Sequence, residues 1–201
     1  MRPIILASAS PRRAELLRQM GALFEVRPAD IDETPLDGEQ PGDYVKRLAR
    51  EKAMVVSRLV PDGIVIGSDT SVVADGRILG KPASPADAAK TLQLLSARTH
   101  QVMTAVAVVV NGWAEVRLVV TEVTFRELRP DEISAYVRTG EPMDKAGSYG
   151  VQGLGGIFLE SFQGSYSSVV GLPLRETADL LAQAGYPVWT TWQPGQESLN
   201  E

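Results

Sequence analysis

The apolar residues of this chain fall into short continuous runs and into longer stretches with a helical repeat. The runs Ile4–Ala7 and Ile64–Val73 predict buried strands, and the second of them is rich in β-branched residues that predict burial on both faces. The repeat over Tyr44–Leu59 predicts an amphipathic helix. Two further runs, Val102–Val110 and Ala114–Phe125, flank an Asn-Gly pair and therefore predict a hairpin with a type I′ turn.

Turn and cap residues place the other elements. Ser10-Pro11 and Ser84-Pro85 each combine an N-cap residue with proline at the first helical position, so each predicts a helix start. The remaining predicted elements are the strands Phe24–Arg27 and Ile157–Phe162, the helices Asp131–Arg138 and Leu174–Ala184, and the glycine-rich loop Glu141–Gly156. Strand–helix units thus alternate with hairpins, which predicts an α/β fold with a mixed sheet flanked by helices. We expect one domain of one or two lobes over residues 1–190 and a C-terminal tail over residues 191–201.

Composition narrows the possible chemistry. The 201 residues include one histidine and no cysteine, which excludes thiol nucleophiles, disulfides and two-histidine metal sites and disfavours a Ser-His-Asp triad. The net charge of −5, without a Lys/Arg-rich run, argues against a nucleic-acid polymer as partner. No apolar run reaches the ~20 residues of a membrane span or the ~7–15 of a signal peptide core. The sequence therefore predicts a cytoplasmic protein that does not bind membranes.

The segment Ser8–Arg13 is the first candidate site. It lies between a predicted strand end and a predicted helix start, where free backbone N–H groups and the helix dipole attract anions. Arg12 and Arg13 would oppose that dipole unless an anion lies between them. The alternative is an ordinary serine N-cap followed by two solvated arginines.

Lys52 and Asp69 are two further candidates, and Glu33 is a weaker one. Lys52 falls in the centre of the apolar stripe of its helix, where lysine is rare unless it is paired; the alternative is a side chain that extends to the surface. Asp69 lies at the end of a buried apolar strand and must be hydrogen-bonded, paired or metal-bound, unless it caps a turn. Glu33 is weak alone but could join Asp69 in holding Mg²⁺ or Mn²⁺. With Lys81 and Lys145 as further cations, the set favours polyphosphate chemistry.

Several separate motifs resemble those of the Maf family of nucleoside triphosphate pyrophosphatases. The matching segments, in order, are Ser8–Leu17, Asp32–Pro35, Arg50–Ala53, Gly67–Thr70, Gly80–Pro82, Thr99–Val102, Asp144–Gly153 and Gly171–Leu174. The resemblance covers about residues 3 to 185. It implies a Maf/ITPase-like fold, in which a mixed, elongated sheet flanked by helices carries a central cleft, and it suggests a homodimer.

The resemblance also implies an activity and residue roles. The activity is hydrolysis of a nucleoside triphosphate at the α–β bond to the monophosphate and pyrophosphate with a divalent cation, and the Asp144–Gly153 motif is most similar to the dTTP/UTP branch. Asp69 would be the proton acceptor and would share the metal with Glu33. Ser8, Arg13, Lys52 and Lys81 would bind phosphates, and Arg12, Thr70 and Gln152 would determine specificity. The alternative is a nucleotide-binding regulator of cell division without significant turnover.

One geometric expectation follows from the Gly67–Thr70 motif. Neighbouring residues of a regular strand face opposite sides, so Asp69 and Thr70 can reach the same ligand only if the strand ends or bulges near Gly67-Ser68.

Overall fold

The computed structural model of the chain describes residues 2–192, so residues 193–201 of the predicted tail lie outside the described residues. The strands are β1 (Ile4–Leu6), β2 (Phe24–Val26), β3 (Ile64–Ala74), β4 (Arg77–Leu79), β5 (Thr99–Val110), β6 (Trp113–Phe125) and β7 (Leu159–Gln163). The helices are α1 (Pro11–Gln19), α2 (Pro41–Ser57), α3 (Pro85–Leu95), α4 (Pro130–Arg138), α5 (Tyr166–Val170) and α6 (Leu174–Gln183). Single 3₁₀ turns cover Glu141–Asp144, Ala146–Ser148, Leu154–Phe158 and Val188–Thr191.

The strands form one mixed sheet. Their order is β2-β1-β3-β5-β6-β7, with β4 paired to β3. Strand β1 is parallel to both β2 and β3, whereas β3–β4 and β6–β7 are antiparallel. The predicted α/β fold with a mixed sheet is therefore confirmed.

Caps and turns follow the sequence closely. The Ser10 hydroxyl accepts a hydrogen bond from the Arg13 amide, and Ser84 caps α3 in the same way. Asn111 and Gly112 both have positive φ, 48° and 80°, as the predicted type I′ turn requires. None of the helices within residues 2–192 is long and apolar enough to cross a membrane.

The described chain divides into two compact units. The first contains the described residues up to Asp69, Thr104–Leu118 and the described residues from Gly171 onward. Its largest fully buried side chains come mainly from β1, α1, α2 and the first half of β3, and they are Ile4, Ile5, Leu6, Leu17, Leu48, Ile64, Ile66 and Leu172.

The second unit contains Thr70–Met103 and Val119–Val170. Its core is more aromatic, since Phe125 packs edge-on against Tyr149 at a centroid distance of 4.7 Å and Phe158 packs edge-on against Tyr136 at 5.0 Å. Aliphatic residues from α3, β3 and β5 complete this core.

Candidate active site

Close packing of α2 on β3 brings Lys52 and Asp69 together. A Cβ atom at Gly67 would lie 2.1 Å from the Ala49 carbonyl oxygen and 2.8 Å from the Ala53 nitrogen, so only glycine admits the helix backbone here. Lys52 lies in the same stretch of α2. Asp69 lies two residues beyond Gly67 on β3, and therefore on the same face of the sheet.

The Lys52 ammonium contacts two carboxylates. Its Nζ lies 2.8 Å from Asp69 Oδ1 and 2.7 Å from Glu33 Oε1. The Lys52 and Asp69 side chains are only 9% and 10% exposed, whereas the Glu33 side chain is 55% exposed. The lysine is therefore paired inside the protein rather than extended into solvent. Strand β3 continues to Ala74, so Asp69 lies within the strand and the strand does not end near Gly67-Ser68.

Opposing effects act on the Asp69 carboxyl group. Burial raises its pKa and outweighs Lys52 and Arg13, whose positive charges lower it. A carboxylate with a raised pKa is a stronger base than an exposed aspartate, which is the property a proton acceptor needs. The buried charge also explains why two cations converge on it.

The loop that carries Glu33 is held against α2. The Tyr44 hydroxyl donates a 2.8 Å hydrogen bond to the Glu33 carbonyl oxygen. Arg47 donates to the Thr34 carbonyl oxygen and to both carboxylate oxygens of Glu39, which holds the pKa of Glu39 at about 2. These contacts give an acidic, mostly exposed loop a defined path. Tyr44 and Arg47 did not stand out in the sequence, because their partners are mostly backbone atoms and loop residues.

Ser8 and Arg13 form a second cluster in the same unit. The Arg13 guanidinium donates to Ser8 Oγ at 3.2 Å and to the Gly171 carbonyl oxygen at 2.9 Å. Burial lowers the pKa of Arg13, while the charges of Asp69 and Glu33 raise it, so the guanidinium lies within electrostatic range of both carboxylates. Arg12 is partly exposed beside it.

A buried serine supports that cluster. Ser68 is fully buried, and its hydroxyl lies 2.9 Å from the carbonyl oxygens of both Ala105 and Gly171. It thus helps to fix the carbonyl group that Arg13 contacts. Neither Ser68 nor Gly171 could be assigned this role from sequence spacing, because they are 103 positions apart in the chain.

The other candidate residues belong to the second unit. Thr70 is partly buried on β3, and Lys81 is exposed after β4. Gln152 is exposed in a turn between Gly150 and Gly153. The Lys145 ammonium lies 2.7 Å from Asp144 Oδ1 and 2.7 Å from the Glu141 carbonyl oxygen, so it braces its own loop.

The donor set suits a hydrated divalent cation better than a closed metal cage. Within residues 2–192, no group of three or more His, Asp and Glu side chains is placed to hold a metal ion. Asp69 and Glu33 nevertheless approach a single cation, the Lys52 ammonium, from two elements. Mg²⁺ is commonly held by one or two carboxylates with waters and substrate phosphates, so these residues fit such an ion.

Comparison with known families decides the affiliation of the chain. The family model described as Maf-like protein matches residues 3–184. The chain belongs to the Maf family. The resemblance carried by the eight motifs is therefore confirmed over nearly the same residues.

This Maf protein is similar over most of its length to curated relatives. It is 54% identical to the dTTP/UTP pyrophosphatase of Colwellia psychrerythraea strain 34H, an alignment that covers 91% of this chain and 89% of the relative. It is 55% identical to the dTTP/UTP pyrophosphatase of Shewanella oneidensis strain MR-1, with 90% and 98% covered. The solved structure of a HAM1 protein from Coxiella burnetii matches 91% of this chain and 100% of its own with a TM-score of 0.51 and 21% identity, which shows a shared fold.

Proposed function

We propose that this Maf protein is a nucleoside triphosphate pyrophosphatase that hydrolyses dTTP and UTP to the monophosphate and pyrophosphate. The names of its relatives support the reaction and the substrates. The observation that carries the proposal is the buried Asp69 carboxylate, held by Lys52 beside Glu33 and within electrostatic range of Arg13. This combination of a base with several cations suits attack on a phosphoanhydride.

In the proposed reaction, Asp69 accepts a proton from a water molecule. The water oxygen forms a bond to the α-phosphorus, and the bond from that phosphorus to the α–β bridging oxygen breaks. The bridging oxygen leaves with pyrophosphate, and the proton stays on the Asp69 carboxylate until it returns to solvent. The raised pKa of Asp69 favours this transfer.

Cationic and hydroxyl groups are proposed to bind the phosphates. Ser8, Arg13, Lys52 and Lys81 carry this role, and the positive charges of the last three offset the negative charge that develops on the leaving group. Arg12, Thr70 and Gln152 are proposed to determine specificity. The Gln152 amide offers both a donor and an acceptor, which matches the edge of a pyrimidine base.

We also propose that Asp69 and Glu33 hold the divalent cation, Mg²⁺ or Mn²⁺. When bound, such an ion neutralises phosphate charge and polarises the attacked phosphorus. The exposed Glu33 side chain leaves one side of the pair open to solvent and to substrate oxygens. A homodimer and a cytoplasmic location remain predictions.

The decisive variant is Asp69→Asn, which keeps the side-chain volume but removes the base. We expect pyrophosphate release from dTTP to fall at least about a hundredfold, the usual contribution of general base catalysis. Binding of dTTP, measured by calorimetry, should stay within about tenfold. Asp43→Asn is the control, because Asp43 is an exposed residue in the first turn of α2 that pairs with Lys46.

Product identification separates the proposal from its alternatives. Incubation of the wild-type protein with dTTP and Mg²⁺ or Mn²⁺ should yield dTMP and pyrophosphate by chromatography. Orthophosphate with dTDP would instead indicate removal of the terminal phosphate. Tight binding without turnover in the wild type would favour the nucleotide-binding regulator and overturn the enzymatic proposal.

A further inference from the structure

The Glu141 carboxylate is the centre of a hydrogen-bond network in the second unit. Its Oε1 accepts from the Tyr136 hydroxyl at 2.9 Å and from the Gly155 amide at 3.2 Å, and its Oε2 accepts from the Leu154 amide at 3.0 Å. The Tyr136 hydroxyl in turn accepts from the Gly150 amide at 3.1 Å. Glu141, directly and through Tyr136, therefore fixes the backbone on both sides of residues 151–153.

The loop is shaped around this carboxylate. A Cβ atom at Gly153 would lie 2.5 Å from Glu141 Oε1, and one at Gly155 would lie 2.8 Å from the Tyr136 hydroxyl oxygen. Real Cβ atoms do not approach other atoms so closely, so a side chain at either position would displace the Glu141 carboxylate or the Tyr136 hydroxyl from this network. Glycine at 153 and 155 lets the loop backbone close around Glu141 and Tyr136.

The carboxylate is ionised in this network. Burial raises the pKa of Glu141, but the Leu154 and Gly155 amides, the Tyr136 hydroxyl and the charge of Lys145 together outweigh it and lower the pKa. Hydrogen bonds from N–H groups to a carboxylate are stronger than those to a neutral acceptor. The loop is thus held by charge-assisted contacts rather than by apolar packing alone.

Gln152 lies between the two fixed segments. On one side of it, the Gly150 amide is held by the Tyr136 hydroxyl; on the other, the Leu154 and Gly155 amides are held by Glu141. The Gln152 side chain is exposed. We propose that Glu141 is a positioning residue that holds the 150–155 loop so that Gln152 meets the pyrimidine base. This inference rests on the proposed function, in which Gln152 determines substrate specificity.

The test compares Glu141→Gln with Glu132→Gln. Glutamine preserves the volume of Glu141 but places an NH₂ group against a backbone N–H donor, which loosens the loop. Glu132 is the matched control, because its two carboxylate oxygens are also fully engaged, by Arg126 and the Arg129 amide, but outside this loop. The values of kcat and KM are measured for dTTP and for ATP with each variant.

We expect Glu141→Gln to raise the KM for dTTP and to lower the preference for dTTP over ATP at least about tenfold, with kcat changed much less. Glu132→Gln should leave the preference unchanged even if it lowers the melting temperature. A wild-type preference in Glu141→Gln would overturn the inference. A general loss of kcat for both nucleotides, without a change in preference, would also overturn it.

A double variant shows whether Glu141 acts through Gln152. If it does, Glu141→Gln combined with Gln152→Ala has the same nucleotide preference as Gln152→Ala alone. Additive losses would assign Glu141 an independent role and contradict the inference. Amide hydrogen exchange by NMR provides a second readout, since exchange at Leu154 and Gly155 should accelerate in Glu141→Gln while the rest of the core remains protected.

The experiments distinguish a failure of this inference from a failure of the proposed function. If the wild type fails to convert dTTP to dTMP and pyrophosphate, the proposed function fails. Binding of α,β-methylene-dTTP and α,β-methylene-ATP, measured by calorimetry, then replaces the kinetic preference in the same set of variants. An unchanged binding preference in Glu141→Gln would overturn the positioning role on its own.

Discussion

Lys52 is the residue for which the sequence pattern and the observed structure agree most directly. Its place in the apolar stripe of α2 predicts either a buried pair or a side chain that extends to solvent, and the structure shows the buried pair. The identity of the partner follows less directly from the pattern. A carboxylate on a buried strand was expected to be hydrogen-bonded, paired or metal-bound, but that Lys52 is its partner depends on the helix lying across Gly67.

The Lys52 and Asp69 side chains should also stabilise each other in the folded protein. Lys52→Met leaves the Asp69 carboxylate buried without its ammonium partner, so we expect a loss of about 1 to 3 kcal/mol in unfolding free energy at neutral pH. Adding Asp69→Asn removes the unpaired charge and should recover most of that loss. Urea unfolding of the two single variants and the double variant measures the coupling.

Lys46→Met is the matched control for this experiment. Lys46 lies on the same helix but forms an exposed pair with Asp43, so its replacement should change stability by less than about 0.5 kcal/mol. Effects of Lys52→Met and Asp69→Asn that simply add would mean that the two groups do not stabilise each other.

At the scale of elements, the contact of α2 with β3 sets the geometry of the candidate site. Gly67→Ala would place a methyl group 2.1 Å from the Ala49 carbonyl oxygen, which forces the helix backbone away from the strand. We expect a loss of about 2 to 4 kcal/mol in unfolding free energy, at the upper end of overpacking effects. Turnover of dTTP should fall as well, because Lys52 moves relative to Asp69.

Gly80→Ala is the control for the glycine substitution itself. An added Cβ there meets nothing within 4 Å, so the change should be neutral or slightly stabilising in the same denaturation experiment. Equal stability of Gly67→Ala and the wild type would mean that the helix can shift at no cost and that the close approach is unimportant.

The elements that periodicity defines well were predicted well. The long hairpin and the amphipathic part of α2 have many apolar positions, and both are confirmed. Helix α2 begins at Pro41 rather than Tyr44, because its first turn is set by a proline and not by apolar residues. Helix α5 was not predicted, since five residues are too few to display a repeat.

The residues of the candidate site also differ in how far the sequence could predict them. Asp69 and Lys52 could be predicted because a charge within an apolar pattern is a local signal. Tyr44, Ser68 and Gly171 could not, because each acts through a backbone carbonyl group whose position depends on the tertiary fold. Contacts of this kind leave no signature in residue type or spacing.

At the scale of the whole molecule, the two units differ in the chemistry of their cores. The first is largely aliphatic, whereas the second encloses His100, the only histidine of the chain. His100 is 2% exposed, and its Nε2 lies 2.8 Å from the Tyr149 hydroxyl oxygen. Its Nδ1 has no hydrogen-bond partner within residues 2–192, so a second ring N–H would have no acceptor there.

This burial should make the stability of the protein depend on pH. Burial lowers the pKa of His100 to about 4, below its ordinary value of about 6.5 in an unfolded chain. The folded state therefore favours the neutral ring, and its advantage is complete above pH 6.5 and is lost as the pH falls towards 4. We expect the wild type to lose about 2 to 3 kcal/mol of unfolding free energy between pH 8 and pH 4.5 through this group.

His100→Phe removes the titration while keeping an aromatic ring against Phe125 and Tyr149. It also removes the partner of the Tyr149 hydroxyl, a cost that does not change over this pH range because the pKa of Tyr149 is raised by burial. The unfolding free energy of the variant should therefore be lower at pH 8 but fall less steeply towards pH 4.5, as measured by urea denaturation at several pH values. Parallel curves for the two proteins would show that the loss of stability in acid comes from other groups, and that His100 accepts a proton in the folded core without cost.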